Sequence, residues 1–434
     1  MNMPIASGNS WKTLTLPILA ALALVALNQS QAQSVIIPPP AISPEVRPTE
    51  SSSGTNEVES ASGGSSSSTG FGSVPQNNNP FSWGPVVLHP RLAYGFSYGT
   101  GLQSQPGQAR RTVINTLTPG ITFDLGQLWA LSYNAAATFY SDPNFKDNVD
   151  HNVSLRGHTT YEDWSFNLSQ SAAITSDPLV ETAQQTDQQS YSTSFGAGYQ
   201  INGEWSGQLT AAQDLRYAKG VQNGSGSTAD WSLSGGLNYQ IGPGVSTGVG
   251  AGAGYNHVGT GTDMTYENLN GQISWHFARK LSLSVNGGAE IRQFLGSGQS
   301  SLISPTFGVG LDYHPLDYTA ISLSASRGVS PSLFRNQVTQ TTSVNLGLSQ
   351  RLFGKYYLSV SGGYGLSTYQ DSSLTGAAFS GREDTRSFFS VNLSRSFLKR
   401  GTASVSYSNS HNTSNATGFG YDSDQIGFSI AYSY

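Results

Sequence analysis

Over the last thirteen residues, Asp422 to Tyr434, the chain alternates strictly. Ile426, Phe428, Ile430, Tyr432 and Tyr434 fall on one side of an extended backbone, and Gln425, Gly427, Ser429, Ala431 and Ser433 on the other. A period of two is what a strand shows when one face meets oil and the other meets water. The alternation recurs from Val86 onward in runs of about thirteen residues, near 86–98, 111–124 and 128–140 through to 400–412 and 422–434. Counted through, the runs make about eighteen strands, with sixteen as the alternative, an even number as in single-chain bacterial barrels.

The connections carry further information. Short turns fall around Gly126, Glu162, Gly203, Gly242 to Gly244, Arg279, Pro315, Gly354 and Lys399. Between them come longer polar segments, such as Gly99 to Arg110, Ser176 to Gln188, Ala218 to Ala229 and Gln370 to Arg382, read as loops. Short and long connections alternate, as an up-and-down barrel with both termini on one side requires. The reading is an all-β fold, a transmembrane antiparallel barrel over residues 83–434. A propeller or solenoid would show a fixed-period repeat, and none is present.

Composition agrees with such a barrel. Only 11% of the 434 residues are charged and 37% are hydrophobic, while mean hydropathy is −0.28. Soluble domains carry about twice that charge and helical membrane proteins far more apolar residues, whereas a barrel needs apolar residues outside and small polar ones inside. A formal net charge of −5 without basic clusters speaks against nucleic acid as a partner. With no cysteine, disulfides, thiolate metal sites and an N-terminal lipidated cysteine are excluded.

The alternation assigns faces. Placing charges on the lipid side near the midplane costs about 2–4 kcal/mol each, so charges mark the inside. By this rule Arg91, Arg156, Asp214, Arg216, Glu290, Arg292, Asp312 and Arg351 line the lumen. Trp129, Trp164, Trp205 and Tyr356 follow short turns closely, and Trp275 precedes one, which predicts an aromatic girdle at headgroup level. Arg395 shares the outer parity of Val391 and Leu393 but lies near a turn, where it can snorkel.

Ahead of the barrel, residues 14 to 27 form an apolar run after Lys12, with Ser30 and Ala32 at the small positions of a cleavage site. Residues 1–32 read as a signal peptide cut after Ala32. Residues 33–82, rich in Pro, Ser and Gly, cannot bury enough apolar surface to order themselves and read as a disordered periplasmic linker, or as a segment that folds back into the lumen.

Motifs for chemistry are weak. Gly248, Gly250, Gly252 and Gly254 superficially resemble a phosphate loop, but their spacing of two puts them on one strand face as lumen wall. His158, His276 and His314 are inward and lack ligand-spaced partners, so no metal and no cofactor are expected, and no catalytic residue is nominated. An eighteen-strand barrel lined by Ser, Gly, Thr and Asn encloses an aqueous channel.

The aromatic C-terminal strand, ending at Tyr434, resembles the closing strand of bacterial outer-membrane barrels, where Phe428, Tyr432 and Tyr434 would act as the signal for the assembly machinery. With the signal peptide, the low-complexity segment and the array of hairpins, residues 83–434 are similar to outer-membrane β-barrel porins associated with exopolysaccharide loci. The resemblance implies an outer-membrane location with the linker in the periplasm, and passive passage of small hydrophilic solutes or export of polysaccharide rather than catalysis. It also implies contact with outer-membrane lipid and a homotrimer, though no strand is marked out as its interface. A non-conducting, adhesin-like barrel is the alternative. General porins carry a long inward loop; no loop here is read as longer than about thirteen residues, so either the pore is wide or the linker narrows it. Deleting Tyr434, or placing Asp at both Phe428 and Tyr432, is expected to abolish appearance of a heat-modifiable barrel in the membrane; a normally assembled variant would refute the closing-strand role.

Overall fold

The computed structural model describes residues 81–434, apart from 106, 180–183, 222–223, 260, 278–279, 297–299, 333–336 and 372–380. The signal peptide, the linker to residue 80 and the turn at Arg279 lie outside the described residues. The chain runs through β1 (Ser82–Trp83), β2 (Val86–Gln105), β3 (Gln108–Leu125), β4 (Trp129–Tyr140), β5 (Asn148–Tyr161) and β6 (Trp164–Leu179). It continues through β7 (Gln184–Gln200), β8 (Trp205–Val221), β9 (Gly224–Gly242), β10 (Val245–Val258), β11 (Met264–Phe277) and β12 (Leu281–Phe294). It ends with β13 (Leu302–Leu316), β14 (Thr319–Pro331), β15 (Gln337–Leu352), β16 (Tyr356–Asp371), β17 (Glu383–Phe397), β18 (Gly401–Ser414) and β19 (Tyr421–Ser433).

Every strand from β2 to β19 pairs antiparallel with its sequence neighbours, and β19 pairs with β2, so eighteen strands close into one barrel. The two-residue β1 folds back on the start of β2. At the seam, Phe428 lies opposite Phe96 and Tyr432 opposite Leu92, while the Tyr434 N–H donates to the Pro90 carbonyl at 2.9 Å. The Tyr434 ring sits edge-on to Phe81 at 4.9 Å and under the Arg400 guanidinium at 3.7 Å.

Stepping from each residue to its paired neighbour once round the ring, starting at Phe96, returns to β2 about 22 residues along it. With strands about 4.8 Å apart, that shear gives a tilt of about 40° and a wall about 36 Å across. The shift is even, so the inner and outer faces match all the way round.

Apolar side chains point out along the whole wall: Leu209, Leu237, Val249, Leu269 and Ile273 are all exposed, the reverse of a soluble core. Trp129, Trp164, Trp205, Trp275 and Tyr356 have outer parity within a few residues of the short turns. A second belt, not anticipated from the sequence, lies toward the opposite rim, where Tyr191 meets Tyr217 and Trp231 stacks on Tyr255. Tyr239, beside Trp205, and Trp231 stand eight residues apart on β9, which places the belts about 20 Å apart along the axis. The Arg395 guanidinium lies 5.3 Å from the Tyr356 ring centre and donates to its hydroxyl at 3.3 Å, the expected rim position.

Two expectations about connections need correction. The segments Gly99–Arg110, Ser176–Gln188 and Ala218–Ala229 are largely strand, since pairing continues to Gln105–Gln108, Leu179–Gln184 and Val221–Gly224. Above the membrane both faces of a hairpin are wet, so the apolar alternation fades while the backbone ladder goes on. Pro315 lies inside β13, and that turn is made by residues 317 and 318. The face assignment has a direct test. Leu237→Arg on the lipid face should cost about 2–4 kcal/mol in unfolding from lipid vesicles, whereas Asn238→Arg, one residue on and facing the lumen, should cost under about 1 kcal/mol.

Candidate functional site

The inner wall is the candidate site, and the register sorts the sequence-nominated charges into two levels. Arg91, Arg156, Asp312 and Arg351 lie toward the short-turn rim. Arg91 runs along the wall above Gly120, where a Cβ would press on its side chain at 3.1 Å. Arg156 faces inward between Ala130 and Ser169, and Asp312 between Ser282 and Ser322. Arg351 is drawn to the rim itself, donating to the Gly354 carbonyl at 2.7 Å and lying 5.7 Å from the Tyr357 ring.

Asp214, Arg216, Glu290 and Arg292 belong to the other level, near the long-loop rim, where Glu290 and Arg292 join a network centred on Asp230 and Asn256. Asp214 stands directly opposite Asp230. Asp230 accepts from the Tyr266 hydroxyl at 3.0 Å and from the Asn256 amide. Asn256 in turn accepts from Arg292 Nη1 at 3.1 Å, and Arg292 grips Glu290 Oε1 through Nη2 at 2.7 Å and Nε at 3.0 Å. The Arg292 side chain is only 3% exposed. Arg216 reaches Gln188 at 3.4 Å. Asp230 and Arg386, also inward by register, were missed, although the parity that found the others would have found both.

The long-loop mouth is partly covered, which the modest loop lengths did not suggest. β13 and β14 pair only as far as Phe307 and Arg327, after which the β14–β15 hairpin leaves the wall. Its Val329 and Val338 pack with Val258, Met264, Phe294 and Leu302, all on the inner face of β10 to β13. Arg292 Nη2 also reaches the Val329 carbonyl at 3.5 Å, tying this hairpin to the charged network.

A second inward segment is the end of β2. Beyond a register shift at Gly99, Leu102, Gln103 and Ser104 are buried, and this strand end approaches β6 and β7. Those strands lie about 25 Å away across the ring, so the hairpin must bend over the lumen. Gly101 makes the bend: its φ is +73°, and a Cβ there would strike the Asp422 backbone. Gln103 donates to the Gly420 carbonyl and Gly107 to that of Gly418, both at 2.9 Å, which joins the bend to the β18–β19 connection. Beside it, Arg382 is sealed between the Tyr369 and Phe419 rings at 4.4 and 3.7 Å while both carboxylate oxygens of Asp384 accept from it.

The glycine row is a seat rather than a loop. Gly248 leaves room for the Asn238 and Gln272 amides, Gly250 for Asn270, Gly252 for Asn268 and Gly254 for the Tyr266 ring. Elsewhere Asn286 lies over Gly308, and Phe388 over Gly363. Long inner side chains therefore lie flat along the wall instead of filling the bore. Among the described residues no three of His, Asp and Glu gather as metal ligands.

No protein-family model matches the chain, and no curated protein does. Among solved structures it is similar to OccAB3 of Acinetobacter baumannii at 11% identity and a TM-score of 0.42, covering 80% of this chain and 99% of that one. It is likewise similar to OccK2 (OpdF) of Pseudomonas aeruginosa at 12% identity and TM-score 0.44, covering 80% and 98%. For the siderophore receptor PirA of A. baumannii the figures are 8%, 0.42, 80% and 80%. Overlaps this loose say nothing of cargo.

The buried ion pair has a measurable signature. Arg292→Met alone leaves Glu290 desolvated and unpaired and should cost about 3–5 kcal/mol in urea unfolding, whereas adding Glu290→Gln should recover at least half of the loss. Equal losses in the single and double variants would exclude the coupling.

Proposed function

We propose that the protein is a passive outer-membrane channel for hydrophilic solutes. The observation that carries this reading is the pairing of an apolar outer wall with a bore about 36 Å across between backbones, whose longer inner side chains lie flat along the wall. Such a lumen holds water, and a solute crosses by diffusion, filtered by the inward hairpins at the long-loop mouth and by the Asp214, Asp230, Glu290 and Arg292 network beside them. Arg91, Arg156, Asp312 and Arg351 add a field of mixed sign below, and Arg216 adds a positive charge at the level of the network. On this reading Trp129, Trp164, Trp205, Trp275 and Tyr356 anchor the barrel in outer-membrane lipid, and the assembly machinery reads Phe428, Tyr432 and Tyr434 before the seam closes.

Residues 33–82 are assigned to the periplasm as a linker after signal cleavage. The exopolysaccharide-associated porin type, with polysaccharide as cargo, and a homotrimer are the finer forms of the proposal. The inward packing of the β2–β3 and β14–β15 hairpins favours one competing reading, a sealed, non-conducting barrel that presents its hairpins to a partner.

Planar-bilayer recording separates the two. The refolded barrel is expected to give discrete conductance steps, and Val329→Ser with Val338→Ser, by loosening the inward hairpin, is expected to raise the step about twofold. A correctly folded barrel with no steps in either form would sink the channel.

A further inference from the structure

The glycine row and the amides laid over it do more than shape a wall. On β9 and β11 the inward side chains Asn238, Asn268, Asn270 and Gln272 form a continuous carboxamide strip beside the bare glycines of β10. Gln272 Nε2 donates to Asn238 Oδ1 at 2.6 Å, which fixes that pair. Asn268 and Asn270 have no side-chain hydrogen-bond partner among the described residues, so their donors and acceptors face the lumen. At the upper end the strip meets the Tyr266 ring, laid over Gly254 and held by its hydroxyl's 3.0 Å bond to Asp230.

The chemistry of this surface is selective. A carboxamide offers a donor and an acceptor in one plane without charge, which matches a hydroxyl group that is itself both. Glu290, which stands opposite Asn268, is already paired with Arg292, so an ion finds little here to offset its lost hydration. The Tyr266 ring, with Gly254 on one side and the Arg292 guanidinium 5.1 Å from its centre, closes the upper end of the strip.

We infer that the strip formed by Asn268, Asn270, Gln272 and Asn238 is a binding track for a neutral oligosaccharide; the inference rests on the channel reading and names its cargo. Because the track is half open to the lumen and built of single hydrogen bonds, it binds weakly enough to release its ligand, as conduction requires.

The test uses the full chain, refolded in a planar bilayer, with maltohexaose as probe. The wild-type channel should show sugar-dependent interruptions of the current. Asn268→Ala with Asn270→Ala should raise the half-blocking sugar concentration about tenfold. Leu269→Ala, the lipid-facing residue between them, should leave it unchanged, and an anionic hexaglutamate should cause no interruptions at the same concentration. A conducting channel with no interruptions, or a double variant that blocks like wild type, would overturn the track while leaving the channel intact. If no conductance appears, the channel reading fails, and saturation-transfer NMR of maltohexaose with the detergent-solubilised protein decides the track. Transfer to the sugar in wild type that disappears in the double variant supports it, and no transfer in wild type overturns it.

Discussion

Backbone hydrogen bonding in a medium without water governs this molecule. An open edge in lipid would leave a row of N–H and C=O groups unpaired, at several kcal/mol each, so the sheet must close on itself. The β19–β2 ladder does this, from Asp424–Thr100 down to Ser433–Arg91. Everything else follows from closure: the even shear, the tilt, the diameter, and the sorting of every side chain into one of two environments. The aromatic belts ring the outer wall toward its two rims, and the Phe81 and Arg400 contacts with Tyr434 finish the seam at the short-turn rim.

How much of this was legible depends on which medium each residue meets. Within the membrane the contrast between lipid and water is sharp, so strand number and the alternation of faces could be read from parity alone. Arg91, Arg156, Asp214, Glu290 and Arg292 all have inner register. Above the membrane the contrast vanishes. Segments such as Ser176–Gln188 lost their alternation and looked like loops although the ladder continues through them. The same blindness hid the mouth. Loop length is a poor guide to constriction when whole hairpins bend, and the signals that mattered were single residues: Gly101 at positive φ, and the valines Val329 and Val338 on a hairpin otherwise polar.

The lumen was legible in kind and not in arrangement. That small polar residues line it follows from composition; that Asn238, Asn268 and Asn270 lie flat because Gly248, Gly252 and Gly250 yield space to them requires cross-strand register, which no local pattern carries. The network from Asp230 through Asn256 to Arg292 likewise joins strands whose residues are far apart in sequence.

The even shift around the ring sets a rule for how such a chain can change. An insertion of one residue into a strand would swap inside for outside along the rest of that strand, turning its polar side chains to lipid and its apolar ones to the lumen. Length can therefore vary only in paired steps, or by single residues confined to a bulge like the one after Gly99, where the strand has already left the wall. The projecting hairpins of the long-loop rim accept both kinds of change without touching the bilayer. They are where related chains have freedom to diverge in what they let through while the membrane-embedded barrel stays the same.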